Sequence, residues 1–313
     1  MRISVVAATH RAAIETAFQN GIDAASAATY ALFPKATEPQ LVWGLFSAGI
    51  ASWATDLKAI LTPHGITVRV GGVFCHSTPM VKFRGMKGKA VEMGDLLVII
   101  RAKDGKEEWR SALLFQSKKQ SVGSRLPPGD QLRLLQRWPR FEYVNGNLAG
   151  EWRKVYPGPH RGAQYHIIDT LKGVLTPCPD NWSRQLSPGF PIQTLSSCLA
   201  GMLSGGEGRF FSIGHRRGTH RGWSRVIWDL LRETGRLDAS KFAGGGKRRQ
   251  LSFFIGELTH ECLVEIDRGW AKVNFEAEEP PSPPEELNPR AAEGAYGGIP
   301  TIIIDLEYEE ATV

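Results

Sequence analysis

Three consecutive stretches decide how this chain is read: Asp95-Leu96-Leu97-Val98-Ile99-Ile100, Lys103-Asp104-Gly105-Lys106, and Trp109-Arg110-Ser111-Ala112-Leu113-Leu114-Phe115-Gln116-Ser117-Lys118. The first is a strand-length apolar run opened by an acid. The second carries Asp-Gly, which supplies the positive φ angles of a type I′ turn. The third is the returning strand of a hairpin. With the turn centred on Asp104-Gly105, Lys103 faces Lys106 and Asp95 faces Leu114. Side chains alternate between faces, so Asp95, Leu114, Gln116 and Lys118 share one face. Leu96, Val98, Ile100, Leu113 and Phe115 share the other. Both faces are largely apolar, as expected of central strands covered on both sides in an α/β fold.

Against that background Asp95, Gln116 and Lys118 are polar groups at strand ends. In this register Asp95 and Gln116 are diagonal neighbours, roughly 7–8 Å apart in the sheet. Side chains of that length can converge on one cation, with oxygen–magnesium bonds of about 2.0–2.1 Å. Burying a charge without a partner is costly, and a metal and a phosphate would supply partners.

The flanks fit the same class. Residues 11–31 are Ala-rich and helical in character. Thr37-Glu38-Pro39 marks a helix start, with Pro and an acid both suited to a first turn. The apolar run from Gln40 to Leu61 continues that helix. Ile66–Val70, Val73–Cys75 and Val81–Phe83 read as strands. After the hairpin, Pro127-Pro128-Gly129-Asp130 precedes a helix over Gln131–Trp138, with Asp130 as its N-cap. Leu132, Leu135 and Trp138 form its apolar stripe. Farther on, Tyr165–Ile168 and Thr301–Leu306 read as strands, and Ile192–Leu203 and Trp223–Arg232 as helices.

An acid on one strand and Gln116-Ser117-Lys118 on the next resemble the PD-(D/E)xK nuclease superfamily, in the Gln-x-Lys form of Mrr-like restriction enzymes and phage-defence nucleases. Gly94-Asp95 stands in for the family's Pro-Asp. The resemblance covers roughly residues 37–145 and implies a restriction-endonuclease-like core, a central mixed sheet flanked by helices. It implies a Mg²⁺ or Mn²⁺ ion on Asp95, the Gln116 side chain and the Ser117 carbonyl. Lys118 would position or deprotonate the attacking water. Glu38, or alternatively Glu92, would be the further acid on the preceding helix. The activity implied is hydrolysis of DNA phosphodiester bonds, in a phage-defence or restriction setting. An activating or recognition protein partner and a homo-oligomer go with that setting. Gln116 departs from the family acid and brings no charge, which leaves the metal site less negative. The rival reading is a nucleic-acid-binding or scaffold subunit with an inactive core.

Composition bounds the rest. The 313 residues are 42% hydrophobic and 22% charged, which is globular and excludes a disordered or fibrous chain. No apolar run approaches the ~20 residues of a membrane-spanning helix, and no signal peptide is read. The four cysteines, at 75, 178, 198 and 262, form no Cys-x-x-Cys pair. Free thiols in a reducing cytoplasm are expected.

Residues 274–313 hold ten acids and one base. The remainder carries thirty-seven bases against twenty-two acids, a balance of +15. Such a body is an electrostatic footprint for a polyanion. The acidic tail either aids solubility or covers that basic surface.

Lys119, Arg125 and Arg133 are candidate phosphate contacts near the hairpin. Arg216, Arg217, Arg221 and Arg225 are others, with Trp223 as a stacking ring. Lys247, Arg248 and Arg249 sit on a Gly-rich loop. For the last two groups a solvated basic loop is the competing reading. The expected organisation is a core over 1–145, a basic, mainly helical region over 146–275, an acidic Pro/Gly-rich linker over 276–298, and a C-terminal strand with acidic tail over 299–313.

Overall fold

The computed structural model describes residues 2–74, 79–120, 125–126, 128–156, 162–169, 180–186, 192–212, 221–235 and 298–308. Helices are α1 (Arg2–Thr9), α2 (Arg11–Leu32), α3 (Glu38–Gly44), α4 (Ile50–Leu61), α5 (Asp130–Arg137), α6 (Leu195–Leu203) and α7 (Gly222–Gly235). Strands are β1 (Ile66–Val73), β2 (Met80–Phe83), β3 (Val91–Glu92), β4 (Leu96–Asp104), β5 (Glu107–Lys119), β6 (Phe141–Tyr143), β7 (Trp152–Arg153), β8 (Ala163–Asp169), β9 (Asp180–Gln185), β10 (Gln193–Thr194), β11 (Arg209–Phe210) and β12 (Thr301–Tyr308).

The main sheet runs β1-β12-β4-β5-β8-β9-β10, with β11 also pairing β5. It is mixed. β12 lies parallel to β4 and β8 parallel to β5, while β4 and β5 form the antiparallel hairpin. A second sheet runs β3-β2-β6-β7. Leu96, Val98, Ile100, Leu113 and Phe115 pack into one buried cluster with residues of α1, α2, α4 and α6. Leu97, Ile99, Ala112 and Leu114 pack into another with Val81, Phe141, Leu134 and Trp228, from β2, β6, α5 and α7. One face is therefore covered by helices, and the other by a small sheet together with two helices. Burial of that apolar area on both faces is the main force holding the layers together.

Several expectations need correction. Leu97 pairs with Leu114 and Asp104 with Glu107, so residue i faces residue 211 − i rather than 209 − i. The two central turn residues are Gly105 and Lys106. Gly105 has φ 61°, and among the described non-glycine residues only Trp138 has a positive φ, so Lys106 has none. A turn with positive φ at its first central position alone fits type II′, not type I′. The shift is even, so every side chain keeps its face.

The expected core ends at residue 145 and leaves 146–275 mainly helical. The described residues there supply β7 to β11 as well as α6 and α7. β8 is hydrogen-bonded to β5 itself. The last strand does not stand apart with a tail. β12 lies between β1 and β4, where Asp305 and Glu307 pair with Arg69, and Lys103 with Glu307. Two of the tail's acids are thus cross-strand partners of basic residues inside the sheet. The linker at 276–297 and the loop with Lys247, Arg248 and Arg249 lie outside the described residues, as do Arg216 and Arg217.

Smaller differences concern ends. The helix expected over Gln131–Trp138 is capped by Gly129 and stops at Arg137, with Trp138 in the left-handed region. Asp130 instead accepts from the Lys87 and Gly88 N–H groups at 2.8 and 3.0 Å. The helix over 38–61 is continuous but contains a π-helical turn, Leu45–Gly49. No helix of the described residues is long and apolar enough to cross a membrane. Of the cysteines only Cys198 is described; it is buried and its thiol is pushed up to about 12 by burial.

Candidate active site

Asp95 precedes β4 at the point where the hairpin ladder ends. Its N–H donates to the Phe115 carbonyl at 2.8 Å, one residue out of the regular register. The next amide along that edge of β5, Ser117 N–H, therefore has no β4 carbonyl. It donates to Asp95 Oδ2 at 2.7 Å. Gln116 Nε2 donates to the same oxygen. Gly94 sets the approach, since a Cβ there would lie 2.8 Å from Leu114 Cδ1 and 3.1 Å from the Phe115 carbonyl oxygen. Glycine lets the chain come this close.

Glu38 arrives from the start of α3. Thr37 caps that helix, and Gln40 Oε1 accepts from the Thr37 N–H at 2.8 Å. Glu38 Oε1 accepts from Lys119 N–H at 2.7 Å and Oε2 lies 3.4 Å from Lys118 Nζ. The four residues expected to be catalytic, Asp95, Gln116, Lys118 and Glu38, thus gather at one end of the hairpin.

The electrostatics are unbalanced. The Asp95 carboxyl is pushed up to about 7. Burial is the main cause and the Glu92 carboxylate adds to it. The Ser117 N–H and the Lys118 ammonium pull the other way, and Glu38 raises it further. Glu92 and Glu38, the two alternatives for the extra acid, therefore both act on Asp95. Three acids near one lysine form a cluster short of positive charge.

Other residues complete the site and were not expected in it. Gln131, in the first turn of α5, donates through Nε2 to Gln116 Oε1 and to the Glu92 carbonyl at 3.3 Å. Tyr165 of β8 pairs with Gln116, and its hydroxyl is pushed up to about 12 by burial and then by Asp95. On the opposite face Ser117 Oγ lies 3.1 Å from His166 Nδ1, and His166 Nε2 meets Asn181 Oδ1. All three are buried. Burial lowers the His166 imidazole to about 4, so it is neutral near pH 7. A Ser-His-Asn line sealed from water has no access to substrate and braces β5 against β8 and β9. Only the strand alternation of Tyr165 and His166 hints at these roles in the sequence.

The donors suit a hard divalent cation. They are carboxylate, amide and carbonyl oxygens, the set magnesium and manganese take. A residue's N–H and C=O point to the same edge of a strand, so the Ser117 carbonyl also faces the side that β4 has vacated. Gln116 turns its Nε2 to Asp95 and its Oε1 to Gln131. A half-turn of that amide offers the oxygen instead. No group of three or more His, Cys, Asp or Glu side chains is arranged as metal ligands among the described residues. Magnesium commonly uses only one or two protein carboxylates, with water and phosphate filling the rest.

The candidate phosphate contacts divide. Arg125 is exposed. Lys119 Nζ donates to the Ala36 carbonyl at 2.7 Å. Arg133 donates to the Gly85 carbonyl at 2.6 Å and covers the Phe83 ring at 5.3 Å. Arg221 and Arg225 stand elsewhere, at the start of α7. Trp223 is no stacking platform, being 3% exposed and packed edge-on against Trp138.

No family model matches this chain. No curated protein matches it, and no solved structure does.

Proposed function

We propose that the chain is a metal-dependent nuclease of PD-(D/E)xK type that hydrolyses DNA phosphodiester bonds, with its site at the end of the β4/β5 hairpin. One observation carries this reading: Asp95, Gln116, Ser117, Lys118 and Glu38 converge there, with Asp95 held near neutrality by burial and by two neighbouring carboxylates. The order of elements also supports a restriction-endonuclease-like core. A helix carrying Glu38 precedes the hairpin and α5 follows it.

Asp95 and Glu38, with Gln116 and the Ser117 carbonyl, would hold Mg²⁺ or Mn²⁺. That ion would lower the pKa of a bound water and offset charge on the phosphate. Lys118 orients the water and places positive charge beside the phosphate oxygens. Glu38 holds Lys118 in place through its contact at 3.4 Å. Gln131 fixes the Gln116 amide, and the buried Ser117–His166–Asn181 line keeps β5 from shifting. The setting would be phage defence or restriction, with a protein partner or a second copy supplying target recognition.

A second reading has its own support. Gln116 Nε2 and the Ser117 N–H satisfy Asp95 through hydrogen bonds alone, and Gln131 holds that Gln116 amide, which is also how an inactive, nucleic-acid-binding core would look. Cleavage of plasmid and linear DNA in Mg²⁺ or Mn²⁺, wild type beside Lys118→Ala, separates the two. Cleavage by wild type alone is expected. Equal cleavage by both proteins, or by neither, would remove the nuclease assignment to this site.

A further inference from the structure

A cleft of about 300 Å³ opens between β7 and the start of α7. Trp152, Arg153, Lys154, Tyr156, Arg221 and Arg225 line it, and no carboxylate does. Its aromatic rings are unusual in being open to solvent: Trp152 is 46% exposed and Tyr156 54%. Each has a cation over one face. The Arg140 guanidinium lies 5.0 Å from the Trp152 centroid, and Lys154 Nζ lies 5.0 Å from that of Tyr156.

The floor is built rather than incidental. Asp229 is fully buried behind the cleft and pairs with Arg153 Nε, while Arg225 Nε lies 3.1 Å from its other oxygen. Arg153 also reaches Glu151 at 3.0 Å and the Trp152 carbonyl at 2.8 Å. Its Nη2 has no hydrogen-bond partner among the described residues although the side chain is only 8% exposed. Asp229 and Glu151 thus offset Arg153 and Arg225. Lys154 and Arg221 make no ion pair with the described residues. The N-terminus of α7, a helix of 14 residues, opens at the same place and adds the positive end of its dipole.

We propose that this cleft binds single-stranded nucleic acid, with a base stacked on Trp152 or Tyr156 and the adjoining phosphate held by Lys154 and Arg221. A bare anion would need the cations but not the exposed rings. Rings interleaved with cations match a polymer that alternates π-faces with phosphates. The proposal deepens the nuclease reading by naming a grip on its substrate, and it rests on that reading for why the chain should hold nucleic acid. The grip itself is measurable without cleavage.

The test is fluorescence anisotropy of a labelled oligothymidylate with the full chain in EDTA. Wild type is compared with Trp152→Ala, Tyr156→Ala and Arg221→Gln. At least one aromatic truncation should weaken binding roughly tenfold, since stacking on one ring is worth about 1–3 kcal/mol per base. Arg221→Gln should lower the slope of log affinity against log salt by about one. Unfolding curves like that of wild type show that these exposed changes leave the fold alone. Several results would overturn the proposal: no binding by wild type, unchanged binding in both aromatic variants, equal affinity for duplex, or displacement by inorganic triphosphate as readily as by unlabelled oligonucleotide. Failure of the nuclease reading looks different. Binding that depends on Trp152 or Tyr156, with no cleavage in Mg²⁺, leaves the cleft standing and removes only the catalysis.

Discussion

The end of the β4/β5 hairpin and the cleft beside α7 have opposite imbalances of charge. At the hairpin, Asp95, Glu92 and Glu38 outnumber Lys118, and burial, with Glu92 and Glu38 adding to it, lifts the Asp95 carboxyl to about 7. At the cleft, Arg153, Lys154, Arg221 and Arg225 outnumber Asp229 and Glu151. At the hairpin the excess charge is buried, where an unpaired group is costly. At the cleft the buried Arg153 is paired, and the cations left over, Lys154 and Arg221, are exposed to solvent. An excess of acid calls for a cation, and an excess of base beside open rings calls for an anion with aromatic parts. The nucleic-acid hydrolysis we propose would use one of each.

Three substitutions test that contrast. The largest effect belongs to Lys118→Ala, which should lower the cleavage rate by about 10²–10⁴-fold, the range for a positioned proton-transfer group. Asp229→Ala acts on the other region and on stability. It leaves the buried Arg153 with Glu151 as its one remaining acid and takes the carboxylate from the half-buried Arg225, and it should cost about 3–5 kcal/mol in urea unfolding. A loss under 1 kcal/mol would mean the cleft's floor is not held by this pair.

The smallest effect is a change in pH dependence. Folded Asp95 keeps its proton up to about pH 7, whereas the unfolded chain releases it near the ordinary 3.8. The unfolded state binds fewer protons in that window, so stability falls as pH rises through it. His166 acts oppositely. Lowered from 6.5 to about 4, it removes stability as pH falls through that interval. The two slopes offset each other between about pH 4 and 6.5 in wild type. Asp95→Asn should therefore melt higher than wild type at about pH 8 and show the His166 slope alone below 6.5. A variant that melts lower than wild type at high pH would break the account of Asp95 as a strained acid.

Much of this was legible in residues 95–118. Apolar runs on both faces mark central strands, and the hydrophobic clusters bear that out. The sequence alone places the turn one residue early, because Asp-Gly suggests two positive φ angles where the chain uses one, at Gly105. Faces survived the error because the register moved by an even number, and Asp95 still meets Gln116. The capped start of α3, with Glu38 in its first turn, was likewise readable from Thr37-Glu38-Pro39.

Long-range pairing was not legible. Thr301–Leu306 reads as a strand, but nothing local says that it inserts between β1 and β4. Tyr165 and His166 join the site region only because β8 runs beside β5. The basic neighbours of Trp223 suggest a ring that stacks on a base. The apolar stripe of α7 turns it inward, and Trp152 and Tyr156 stay outside instead. Isolated exposed aromatics carry no periodicity for a sequence reading to detect.

The most direct test of the hairpin site is a calorimetric titration of Mn²⁺ into wild type and Asp95→Asn at about pH 8, where the Asp95 carboxylate is ionised. Wild type should bind the ion and release little proton, and Asp95→Asn should bind it at least about tenfold more weakly. Equal binding by the two proteins would show that the acids at the end of the hairpin do not hold the metal.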